Sequence, residues 1–173
     1  MKVLSSLCSF RRRFRFGVVI LNICWVAGFV GGMVTAYYLR ETLVPMVLGV
    51  LGQPAGLSGL LVASVLPCLF CAYGASLGEL WVLPLTGGLK AFGFGFCGCG
   101  VSLACGQSGW LVRLMLLFSD SMIIVPLYLF SVRYICGRTS RVHRDISLLL
   151  LFATVVCFVD YRMVSPFLCK LFS

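Results

Sequence analysis

Residues 17–39 form a run of 23 amino acids without a charged side chain, and this run fixes the solvent in which the chain folds. At ~1.5 Å per helical residue it exceeds the ~30 Å hydrocarbon core of a bilayer. A secretory signal peptide is the competing interpretation, but its apolar region would cover only ~7–15 residues. A retained membrane helix is therefore expected. Apolar stretches of similar length recur at residues 59–78, 80–105, 110–132 and 146–168, the last three with one or two charged residues inside them. In hydrocarbon no water satisfies the backbone, so each span must close its own hydrogen bonds as a helix. This holds even for the alternation Phe92, Gly93, Phe94, Gly95, Phe96, whose period of two would suit a strand in water. The expected fold class is all-α: a polytopic transmembrane helix bundle of about five spans. It forms one membrane domain over residues 17–168, with a basic head at 1–16 and a short tail at 169–173.

Composition agrees with that solvent. Hydrophobic residues make up 61% of the 173 and charged residues 11%, against roughly 25% charged in soluble domains. The net charge of +9 raises nucleic acid as a partner, but no basic stripe with interleaved aromatics occurs outside the apolar runs. Instead the basic residues flank the spans. Nine of the fourteen Lys and Arg fall in residues 1–16 and 133–145, including Arg11, Arg12, Arg13, Arg138, Arg141 and Arg144. Five crossings place both segments on one side, and positively charged flanks stay inside. The N-terminus is expected in the cytoplasm and the C-terminus outside, in a multi-pass protein of a bacterial cytoplasmic membrane. Arg113 and Arg162 are long enough to snorkel outward. The connection at 40–58, broken by Pro45, Gly49, Gly52, Pro54 and Gly56, is expected to lie along the membrane surface. A bend is expected at Pro67, and interruptions near Pro84 and Pro126.

Charges inside the spans carry the candidate site. Lys90 lies ten residues into span three, Asp120 thirteen residues before Arg133, and Asp160 fourteen residues into span five. These offsets put all three ~15–21 Å from the cytoplasmic face. A mid-bilayer charge costs ~2.5–3.5 kcal/mol on insertion scales, so each is expected to face protein. Lys90 is expected to pair with Asp120 or Asp160, either as a structural lock or as part of an ion or proton path. Ten cysteines include Cys68-x-x-Cys71 and Cys97-x-Cys99, but they sit in apolar runs, far in sequence from the one histidine, His143. There cysteine acts as a small hydrophobe. No catalytic constellation, metal site or cofactor site is expected. Gly28, Gly31 and Gly32, with Gly95, Gly98, Gly106 and Gly109, are candidate close-packing positions, against this chain's own helices or a partner's.

From Gly74 onward the order of residues resembles the stage II sporulation protein M family. The residues that carry it are Gly74-x-Ser76, Pro84, Leu89-Lys90, Gly95-Phe96, Gly106-x-x-Gly109, Pro126 after Ile123-Ile124-Val125, Asp160-Tyr161 and Ser165-Pro166. Together they cover most of residues 74–168. Two features depart from the family: Phe118-Ser119-Asp120-Ser121 stands where it has Leu-Pro-Gln-Asn, and the connection after span one is short. The resemblance implies a non-enzymatic membrane scaffold of the forespore engulfment machinery. Such a scaffold recruits the peptidoglycan-remodelling hydrolases called stage II sporulation proteins P and D. The alternative is a small permease or channel component using Lys90, Asp120 and Asp160.

Overall fold

The computed structural model of the protein describes residues 2–51, 53, 56–106, 110–137 and 142–172, with side chains at all of these except 2–15, 51, 110, 111, 113, 116, 117, 168, 169, 171 and 172. Among the described residues there is no strand. In chain order the elements are α1 (Lys2–Tyr38), α2 (Arg40–Leu51), α3 (Leu57–Leu77), α4 (Val82–Cys105), α5 (Trp110–Ile135), α6 (Val142–Val159) and α7 (Ser165–Phe172). A π-helical turn, Asp160–Val164, joins the last two.

Five segments are long and apolar enough to cross a bilayer: Phe16–Tyr38, Leu57–Leu77, Val82–Cys105, Phe118–Ile135 and Val142–Phe167. At most 33% of any of them is buried within the chain. Large apolar side chains such as Phe16, Leu89 and Met163 are more than 60% exposed. Water would not tolerate so much contiguous apolar surface. Lipid does, and the chain is a multi-pass membrane protein.

Glycine and proline set the element ends. Gly78, at φ +75°, closes α3: its N–H bonds to the Ala75 carbonyl, and the Glu79 N–H reaches the Gly74 carbonyl at 2.9 Å. This left-handed cap satisfies the last carbonyls of the helix. The turn that follows is pinned by the Trp81 indole N–H donating to Glu79 at 2.8 Å. Pro84 then falls in the first turn of α4, where no intrahelical donor is needed.

The helices alternate in direction. Gly28 of α1 lies against Gly88 of α4, Gly32 against Phe92, and Leu43 of α2 against Gly100. Contacts advance together along both chains, so α1 and α4 are parallel, as spans one and three must be. The main core gathers Leu21 of α1, Cys68, Cys71 and Ala75 of α3, Leu83 of α4, Ile123, Leu127 and Phe130 of α5, and Leu149 and Ala153 of α6. A smaller cluster around Val101 and Val112 lies where Val47 of α2 and Val164 meet α4 and α5.

Three local expectations are corrected. Residues 40–51 are a helix seated on α4 and not an irregular surface connection. Leu43 fills the space left by Gly100, and helix formation satisfies backbone that would otherwise meet lipid. Second, α5 runs through Pro126 without an interruption, while the interruption near Pro84 falls just before it, at the turn that opens α4. Third, the irregular turn falls in the fifth span, at Asp160–Val164, where no break was expected. Pro166, in the next turn, has no N–H for the carbonyl four residues back, and a widened turn relieves that clash.

Candidate functional site

The site begins with a proline. Pro67 in α3 lacks the N–H that would bond to the carbonyl of Ala63, four residues earlier. That carbonyl faces α4, and Lys90 Nζ donates to it at 3.4 Å. The same ammonium forms an ion pair with Asp120 Oδ1 of α5 at 2.9 Å. One lysine thus ties three spans together. Its side chain is 12% exposed and that of Asp120 34%.

Asp160 is brought to the same region by another route. Adjacent positions on a helix point ~100° apart, so when Asp120 turns toward α4 its neighbour Ser119 turns elsewhere. Ser119 Oγ donates to Asp160 Oδ2 in the π turn. Asp160 is buried while Tyr161, Arg162 and Met163 beside it are exposed. Arg162 lies over the Phe158 ring at 6.0 Å. Of the two carboxylates in reach of Lys90 by depth, Asp120 forms the ion pair and Asp160 takes the hydroxyl. Among the described residues the other ion pair is Arg144 to Asp145 at 3.9 Å, outside the cluster.

A groove of about 380 Å³ opens beside the ion pair, lined by Ala63, Leu66, Phe70, Leu89, Gly93 and Asp120, among others. Thr86 also lines the groove, but its hydroxyl and that of the buried Ser131 do not reach the ion pair. Thr86 donates to Val82 and Ser131 to Leu127, each within its own helix. Cys68 and Cys71 are buried and unoxidised, Cys97 is exposed, and no three metal-ligating side chains converge among the described residues.

The candidate glycines separate into kinds. A Cβ on Gly28, Gly32 or Gly95 would run into the backbone of the facing helix, at Gly88, Phe92 and Phe29 respectively. Gly31 has only ordinary contact with the Phe92 ring at 3.7 Å, and Gly98 lines a shallow apolar recess with Phe29 and Met33. Gly106 does not pack against a helix. A Cβ there would meet nothing within 4 Å, and Gly106 caps α4 at φ +59°, a positive φ that favours glycine. Gly109, Arg138 and Arg141 lie outside the described residues. Arg11, Arg12 and Arg13 are on α1 with their side chains outside the description, and Arg144 is exposed.

Several participants were not singled out from the sequence. Ala63 was findable, since a mid-helix proline always releases the carbonyl four residues before it. Gly87 and Gly88 pack against Trp25 and the Cys24 carbonyl; their register with Gly95 on one helical face was the available signal. Asn22 accepts from the Tyr128 hydroxyl at 2.7 Å, with Trp25 edge-on to the Tyr128 ring at 5.4 Å. Nothing in the sequence links these three.

No family model, curated protein or solved structure matches the chain. The likeness to the stage II sporulation protein M family therefore stands on the order of its motifs alone.

Proposed function

We propose that the protein is a non-enzymatic membrane scaffold, a helix bundle that holds other proteins at the membrane. The observation that carries this reading is the Lys90–Asp120 pair, closed at 2.9 Å and sharing its lysine with the freed Ala63 carbonyl. A lysine engaged in this way locks three helices in register. A conducting path would want its charges in water. A permease would also draw on broken helices, whereas α5 runs through Pro126 without a break. The wide unburied surface of the spans is available to lipid and to partner helices.

The arginine-rich flanks support placement in a bacterial cytoplasmic membrane with the N-terminus inside. The resemblance supplies the specific setting: forespore engulfment, with stage II sporulation proteins P and D as partners. Affinity purification of the tagged chain in detergent from sporulating cells tests this. Recovery of wall hydrolases is expected, with no solute flux from liposomes carrying the purified chain. Saturable flux that Lys90→Ala abolishes, with no hydrolase recovered, would overturn the scaffold in favour of a permease.

A further inference from the structure

We propose that the groove between α3, α4 and α5 receives a transmembrane helix of a partner protein that carries one lysine or arginine at the depth of Asp120. The proposal rests on the scaffold reading and names the chemistry of the partner.

Charge is the first argument. The cluster contains one cation, Lys90, and two carboxylates, Asp120 and Asp160, a formal sum of one negative charge if all are ionised. Among the described side chains no other cation pairs with them. A proton on Asp160 would balance the sum, yet it would leave Asp120 uncovered. Lys90 and Asp120 both line a groove that opens between membrane spans, but the lysine side chain is 12% exposed and the aspartate 34%, so the carboxylate is the open side of the pair. Hydrocarbon solvates a carboxylate poorly, and intramembrane charges face protein or water. A cationic side chain entering the groove supplies both the missing charge and the cover.

Shape is the second. The rim is apolar, formed by Leu66, Phe70 and Leu89. Gly93 opens the α4 side: a Cβ there would meet nothing within 4 Å. This contrasts with Gly28, Gly32 and Gly95, whose faces are already filled by this chain's own helices. A glycine left open beside a groove allows the close helix approach on which association in lipid depends. A second copy of this chain fits less well. Of its described cations within the spans, Lys90 is already paired, and Arg162 lies over Phe158.

The test uses the full chain in phosphatidylcholine vesicles, with synthetic Leu/Ala transmembrane peptides of about 22 residues. The peptides carry Lys, Leu or Glu at the position matching Asp120 in depth, and binding is read by energy transfer between labels. The Lys peptide is expected to bind about tenfold more tightly than the other two. Gly93→Leu, which fills the groove without touching the ion pair, is expected to remove that binding while the chain keeps its unfolding midpoint. Asp120→Asn is expected to remove the preference for Lys. Equal binding of the three peptides would overturn the proposal, as would indifference to Gly93→Leu. Self-association of the chain that Gly93→Leu abolishes would assign the groove to a second copy and overturn it too. Either failure leaves hydrolase co-purification unaffected, so it is distinguishable from failure of the scaffold reading.

Discussion

On its α1 side, α4 presents Gly87, Gly88 and Gly95, with backbone against backbone at Gly88 and Gly95; on its α3 and α5 side it presents Lys90 and Gly93 and leaves space. Neither interface draws on the hydrophobic effect, because lipid is as apolar as the side chains it would release. The glycine seam relies on dispersion and close backbone contact, many small terms that demand exact fit. The polar interface relies on a few strong terms that demand partners, since a charge left alone in the bundle is costly. The seam should therefore fail by crowding and the cluster by deletion.

The largest expected effect is on the cluster. Lys90→Ala leaves Asp120 without its cation and the Ala63 carbonyl without its donor, for a loss of about 3 kcal/mol, read as a lower unfolding midpoint in detergent. On the seam, Gly32→Val drives a side chain into the Phe92 backbone and should cost about 1–3 kcal/mol by the same assay. Equal tolerance of valine at Gly32 and at the open Gly93 would break the contrast between the two sides. Between these and zero lies Tyr128→Phe, which removes the hydrogen bond to Asn22 and should cost about 0.6 kcal/mol, the average for such bonds in membranes. Smallest of all, Gly93→Ala should shift stability by less than about 0.5 kcal/mol, because its Cβ enters empty space.

The spans were legible because the bilayer imposes a single length requirement that a sequence displays openly. The same requirement resolved Phe92–Phe96 as helix despite its alternating pattern. The structure of residues 40–51 was not legible: Pro45 and Gly49 are local helix breakers, and the force that overrides them is the seat offered by Gly100 on a distant helix. The site was half legible. Depth along each helix follows from residue counts and brought Lys90, Asp120 and Asp160 to one level. Which carboxylate meets the lysine depends on rotation about each helix axis, and the π turn that sets it for Asp160 depends on a proline six residues later. Glycines divide in the same way. Gly28 and Gly106 look alike in a sequence, yet one is needed for contact and the other for a positive φ at a helix end.

The pairing of Lys90 with Asp120 across α4 and α5 is tested most directly by charge exchange. Lys90→Asp alone should abolish accumulation of the folded chain in the membrane, and adding Asp120→Lys should recover most of it. Adding Asp160→Lys instead should not. Recovery with Asp160→Lys, or no recovery with either, would contradict the account.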